Sequence, residues 1–191
     1  MKTDSERMAD ERDLPRRDFL KVGVGFTVAL SVGSAIVGCG DAAKTPAQGL
    51  AVLRPGDVEL FSALVPAVVI ELGQFDEARR QQVIGEVVRV VDGTIAAMGQ
   101  GSQKELRKLL DILGNGPLRY VLTGVGDWRE AAVEKMQAFI TRWRGSRFVT
   151  LNAGSNVLVK LSSSSFYLLP AGWPSAGYPG PLAYVYQAVN A

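Results

Sequence analysis

The run Asp76-Glu77-Ala78-Arg79-Arg80-Gln81-Gln82-Val83-Ile84-Gly85-Glu86-Val87-Val88-Arg89-Val90-Val91-Asp92-Gly93-Thr94-Ile95-Ala96-Ala97-Met98 carries the strongest periodic pattern in the chain. Val83, Ile84, Val87, Val88, Val91, Ile95 and Met98 recur every three or four residues, with Arg79, Arg80, Glu86 and Arg89 opposite. That spacing predicts an amphipathic helix, closed by Gly99 and Gly101. Upstream, Pro55 suits a first helical turn, Asp57 and Glu59 suit its positive end, and Val58, Phe61, Leu64 and Val65 share a face. Pro66 is expected to bend or end that helix before Val68, Val69 and Ile70. Downstream, Ser102-Gln103-Lys104-Glu105 reads as a capping box opening a helix through Leu106, Leu109, Leu110 and Leu113, and Gly114-Asn115-Gly116-Pro117 ends it. Asp127 with Glu130 reads as the cap of a fourth helix, in which Val133, Met136, Phe139, Ile140 and Trp143 share a face up to Gly145. Arg147 to Leu169 is ambiguous, because Gly154 and Ser162 to Ser165 disfavour a helix interior; its helical neighbours and the lack of a hairpin turn favour a fifth helix. Alternation of strand length is missing. The expected fold is therefore mostly α, a small bundle of about five helices with an extended Pro/aromatic-rich C-terminal tail.

Outward from this core, the organisation reads as an export leader over 1–38, a flexible tether over 39–53, the helical domain over 54–169 and the tail over 170–191. The 191 residues leave room for one domain with appendages. Apolar residues make up 47% and charged residues 21%, with a net charge of +2, so nucleic acid is not the expected partner. There is no His and a single Cys. That composition removes Ser-His-Asp and Cys-His nucleophiles, thiolate zinc clusters and any internal disulfide.

Ahead of the apolar run Val22 to Gly38 stands Arg16-Arg17-Asp18-Phe19-Leu20-Lys21. It matches the twin-arginine export signature of two Arg, any residue, Phe, Leu and Lys, with Pro15 in place of the usual Ser or Thr. The alternative is the basic n-region of an ordinary secretory signal. The apolar run holds four glycines and several hydroxyl residues and is at the short end of the roughly 17–25 residues that span a bilayer, so it fits a removed signal better than a permanent anchor. The only cysteine closes it in Ile36-Val37-Gly38-Cys39, which resembles a lipobox. On that reading Cys39 carries two acyl chains and holds the exported chain to the membrane, at the inner or the outer one. The other reading is a free or intermolecular thiol.

The chain's end, Pro170-Ala171-Gly172-Trp173-Pro174-Ser175-Ala176-Gly177-Tyr178-Pro179-Gly180-Pro181, has too many prolines for helix or central strand, yet it carries Trp173 and Tyr178, with Tyr184 and Tyr186 beyond. Large rings on a stiff segment suit a partner interface, and equally suit a cover for the domain's own core. Arg142, Arg144 and Arg147 around Trp143 read either as the solvated end of a helix or as the polar rim of that interface. Other groupings are weak. Glu71, Asp76 and Glu77, or Asp127 and Glu130, read as helix-terminal charge rather than as acid–base or metal groups. Gly114-Asn115-Gly116 and Gly124-Val125-Gly126 lack the preceding strand that nucleotide binding requires. Ser162 to Ser165 would have only a lysine such as Lys160 for a base, and no spacing supports that.

Together, the twin-arginine leader, a Leu-Arg-Pro-x-Asp start at Leu53, the Trp143-Arg144-Gly145 segment and the Gly177-Tyr178-Pro179-Gly180-Pro181 end resemble the small-subunit family of gluconate 2-dehydrogenase type. The resemblance implies a subunit without catalytic residues, cofactor or metal of its own. Its partner would be a large flavoprotein of the glucose–methanol–choline class, carrying FAD and exported through the translocase on this chain's leader, often with a cytochrome c subunit as electron acceptor. The implied contact residues are Trp173, Tyr178, Pro179, Gly180 and Pro181, with Arg142, Trp143, Arg144 and Arg147. A free-standing envelope lipoprotein that binds a small ligand or cell-wall polymer is the alternative from another class.

Overall fold

Each apolar stripe can be buried only against another, and in the computed structural model, which describes residues 45–182, six α-helices do this. They are α1 (Pro55–Val68), α2 (Glu77–Ala96), α3 (Gln100–Gly114), α4 (Gly116–Thr123), α5 (Val133–Arg144) and α6 (Val149–Tyr167), with a 3-10 turn over Ile70–Gln74. There is no strand among the described residues. Contacts divide the chain into Met1–Gly40 and Asp41–Ala191, and every described residue belongs to the second unit. The leader residues Arg16, Arg17, Phe19, Leu20 and Lys21, with Cys39, Tyr184 and Tyr186, lie outside the described residues.

Helix α1 is the hub and packs on α2, α3, α5 and α6, while α2 and α5 also pack on α6, and α4 on α3. Leu60, Phe61, Leu64 and Val65 of α1 meet the valine stripe of α2, the aromatic face of α5 and Leu158 and Phe166 of α6 in one buried cluster. Helices α1 and α5 run antiparallel: Gln137, early in α5, donates from Nε2 to the Ala67 carbonyl at the end of α1. The end of α6 lies beside the 3-10 turn, where the Tyr167 hydroxyl donates to Glu71 at 2.6 Å. One end of the bundle thus gathers the start of α1, the end of α5 and the start of α6; the other gathers the 3-10 turn and the end of α6.

The first of these ends is fastened by a carboxylate. Asp92 belongs to the buried stripe of α2 and accepts from the backbone N–H groups of Ala51, Val52 and Leu53 at 2.8, 2.9 and 2.8 Å. Arg107 of α3 donates to the Val52 carbonyl, and the Ala47 N–H donates back to the Leu53 carbonyl. Leu53 is wholly buried. The tether expected over 39–53 therefore does not extend to its predicted boundary, because Ala51, Val52 and Leu53 are bonded to the domain and Ala47 folds back onto Leu53. Next to this clamp, buried Asp57 takes the Arg54 backbone N–H and the Arg54 Nε, and Arg54 also reaches Asp111 of α3.

Several helix limits differ from their sequence reading. Helix α3 starts at Gln100 after Gly99, so Ser102 stands inside it rather than at its cap. Asp127 caps only the turn at Arg129, and α5 begins at Val133. Asn115-Gly116-Pro117 does end α3, but Asn115 also caps the unexpected α4 by accepting from the Leu118 N–H, with Pro117 in the first turn. The serines do not break α6, because Ser162, Ser163 and Ser164 turn their hydroxyls back onto the carbonyls four residues earlier. Gly154 lets α6 lie close against α5: a Cβ there would stand 3.1 Å from Trp143 Cζ3.

Asp92→Ala leaves three backbone donors without their acceptor, one of them fully buried, and should destabilise the domain by about 2–3 kcal/mol in denaturant titration. Burial pushes the Asp92 carboxyl up, and the three backbone N–H bonds outweigh it and hold it below its ordinary value. A carboxyl lowered on folding stabilises fully above its unfolded value of about pH 4 and loses that contribution as pH falls through the folded value. Acid destabilisation should therefore be shallower in Asp92→Asn than in the native chain, and identical slopes would remove Asp92 from this role.

Candidate functional site

The Pro/aromatic segment is built onto the end of α6. Phe166 is fully buried, and Leu169 and Ala171 pack against the core. Beyond them the chain is not extended as expected from its prolines. It winds through successive turns, with the N–H groups of Gly172, Trp173 and Gly177 donating to the carbonyls of Leu169, Pro170 and Pro174. Gly172 is the hinge on which this depends, since a Cβ there would stand 2.6 Å from the Phe166 carbonyl oxygen.

The loop then closes on Trp173. The Tyr178 N–H donates to the Trp173 carbonyl at 3.0 Å, and the two rings meet edge to face at 5.4 Å and 79°. Gly177 and Gly180 take φ of 64° and 97°, a region open to glycine, and a Cβ on Gly180 would touch the Trp173 ring at 3.0 Å. The spacing of Gly177-Tyr178-Pro179-Gly180-Pro181 thus wraps a backbone over one indole. Trp173 is half-buried by its own tail and stands apart from the main core cluster, while Tyr178 stays 47% exposed. Pro179, Pro181 and Leu182 are exposed beside it, and Ile70, Tyr167 and Leu168 add exposed apolar surface at this same end of the bundle.

The other residues expected at a partner contact lie elsewhere. Trp143 is buried: it stacks edge to face on Phe139 at 4.8 Å, and its Nε1 donates to the Leu122 carbonyl at 2.9 Å. It is a core residue and has no surface to offer. Arg142, Arg144 and Arg147 are exposed where α5 stops and α6 starts. Helix α6 is 19 residues long, about 28 Å, and separates them from Trp173. The arginines therefore do not rim the aromatic tail. Sequence reasoning missed the exposed Tyr120 and Val121 of α4, although Asn115 before Pro117 is itself a helix-start pattern.

The rejected groupings have plain structural explanations. Asp76 caps α2 through the Arg79 N–H, Glu77 bonds Arg80 and Gln81, and Glu71 accepts from Tyr167. The side chain and then the backbone N–H of Arg129 pull Asp127 down to about 2, the value of a fixed ion-pair member rather than a proton acceptor. Gly124 is the left-handed cap of α4. Among the described residues no three His, Cys, Asp or Glu side chains are placed to hold a metal ion, and no helix is long and apolar enough to cross a membrane. A shallow depression along α3 is lined by Gln100, Gln103, Lys104, Arg107 and Lys108, which belong to a single helix face. Comparison with family models, curated proteins and solved structures finds no match.

The geometry at Gly172 makes the tail separable from the bundle. Gly172→Ala should displace the turn at a local cost of about 1–3 kcal/mol and expose Trp173, raising acrylamide quenching of tryptophan emission while the helical circular dichroism persists. Unchanged quenching would show that the tail does not depend on this close approach.

Proposed function

We propose that the chain is the non-catalytic small subunit of a flavin-dependent dehydrogenase, which it exports, anchors and stabilises at the periplasmic side of the bacterial envelope. The observation that carries this reading is the order of parts in the sequence: Arg16-Arg17-Asp18-Phe19-Leu20-Lys21, then Ile36-Val37-Gly38-Cys39, then a helical domain without histidine. The twin-arginine route carries folded proteins, so a partner that folds around FAD in the cytoplasm can cross with this chain. The chain itself supplies binding, and the FAD belongs to the partner. A cytochrome c subunit is the expected electron acceptor of such an assembly.

The tail supports the reading as the docking element. Its turns are already set by Gly172, Gly177, Gly180 and the Trp173–Tyr178 contact, so little ordering entropy remains to be lost on association. Tyr178, Leu182, Leu168 and Ile70 offer the exposed apolar surface that aromatic-centred interfaces use. Trp173 acts as the support that orients Tyr178. Truncating a central ring of an interface costs about 2–4 kcal/mol, roughly 30- to 1,000-fold in affinity, so Tyr178→Ala should weaken co-purification of the flavoprotein while leaving this chain's folding intact.

The leader gives the decisive test. Arg16→Lys with Arg17→Lys should leave both this chain and the flavoprotein in the cytoplasm, read as loss of protein-bound FAD from the envelope fraction. An undiminished flavoprotein in the envelope would contradict the carrier role. Mass spectrometry of the mature N-terminus should show an acylated Cys39, and an unmodified thiol would contradict the anchor.

A further inference from the structure

The end of the bundle opposite the aromatic tail carries a surface that the subunit reading leaves unused. Helix α4 exposes Tyr120 and Val121 there, the latter 77% accessible, and Phe148, just before α6, and Val149, its first residue, are exposed too, the latter 74%. The two groups belong to one neighbourhood. The carbonyl of Leu122, next to Val121, accepts from both Arg142 and Trp143 at the end of α5, and Phe148 follows four residues after Arg144.

The charge of this surface has one sign. Arg142, Arg144 and Arg147 are exposed, and none of them joins an ion pair among the described residues; Arg89 and Arg119 have none either, while Arg54, Arg79, Arg80, Arg107 and Arg129 do. The carboxylates of the neighbouring elements are committed elsewhere, Asp111 to Arg54 and Asp127 to Arg129. A helix C-terminus explains arginines in the last turn of α5, but it does not explain Arg147 beyond that turn or the apolar side chains interleaved with it.

We propose that this end lies on an anionic phospholipid surface, with Tyr120, Val121, Phe148 and Val149 at the level of the headgroups and Arg142, Arg144 and Arg147 against the phosphates. The inference rests on the lipid anchor at Cys39. Asp92 clamps residues 51–53 at this end of the bundle, and the Ala47 N–H bond to the Leu53 carbonyl keeps residue 47 there too. Thr45 is six residue steps from Cys39, a reach of about 20 Å even when extended. A bilayer-held Cys39 therefore brings the start of the domain, and with it the cationic apolar end, to the membrane. Interleaved cations and amphipathic rings suit that boundary, and an acyl anchor with a basic patch forms the two-part attachment that gives stable binding. The aromatic tail, at the far end of α6, then faces away from the lipid.

The test uses the mature chain purified from the envelope, with Thr150→Cys carrying a fluorophore beside the patch, or Ser175→Cys carrying it at the opposite end; both positions are exposed. Each is mixed with phosphatidylcholine vesicles, with or without phosphatidylglycerol, containing a bilayer-embedded quencher. Quenching at position 150 is expected to be stronger with phosphatidylglycerol than with phosphatidylcholine alone, to fall back to the phosphatidylcholine level at high salt, and to exceed that at position 175. Each basic side chain near an anionic surface is worth about fivefold, so Arg144→Glu with Arg147→Glu should lower the docked-to-free ratio about 25-fold or more. Val149→Ser, which changes no charge, should weaken quenching as a second variant. Absent quenching, quenching indifferent to lipid charge, or shielding of position 150 by the co-purified flavoprotein alone would each overturn the proposal. An acylated Cys39 takes no label, so a second fluorophore per chain reports failure of the anchor reading separately, while the vesicle result still decides the surface.

Discussion

A buried carboxylate that gathers three backbone donors is the constraint on which the arrangement of this domain depends. Asp92 stands among the valines of α2, and the N–H groups of Ala51, Val52 and Leu53 are its partners. Taking a carboxylate out of water is unfavourable unless its lone pairs are filled, and taking an irregular strand into a core is unfavourable unless its donors are met. Here each need answers the other. The bond set carries Leu53 into the core and aims Arg54 at Asp57 and Asp111. It also determines the end of the bundle from which the N-terminal segment departs.

That placement gives the domain two unlike ends. At one, the clamped segment, the end of α5 and the start of α6 meet beside α4, and exposed arginines alternate with apolar side chains. At the other, α6 runs into a turn cluster whose glycines allow backbone to lie on Trp173 and hold Tyr178 edge-on to it. The bundle between them is made rigid by close packing: Gly154 admits Trp143, and Trp143 ties α5 to the last turn of α4 through Leu122. In the proposed subunit, one end holds a flavoprotein and the other rests on lipid, with α6 as the spacer.

The helical class and the apolar stripes were legible because a period near 3.6 survives in any context that buries one face, and Val83 to Ile95 and Val133 to Trp143 are such faces. Boundaries were less legible. Asn115-Gly116-Pro117 has the residues both of a stop and of a start, and only the exposed turn that follows shows that it is both. The role of Asp92 was missed although its position four residues after Val88 and three before Ile95 puts it on the apolar stripe, where a carboxylate must have partners. Those partners lie about forty residues away in a segment with no periodicity. Trp143 sits on the apolar face its spacing predicts; only its second reading as a partner contact fails, because an aromatic flanked by arginines looks the same in sequence whether it faces the core or a partner. The tail's turns were hidden by its prolines, which announce irregular backbone without saying how it folds back.

The most direct measurement of the two-ended arrangement is photocrosslinking in living cells from a benzophenone side chain placed at Tyr178 and, in a separate chain, at Tyr120. The expected result is an adduct from position 178 with one FAD-containing protein larger than this 20.5 kDa chain, and an adduct from position 120 with phospholipid. Lipid adducts at position 178, or a flavoprotein adduct at position 120 and none at 178, would contradict it.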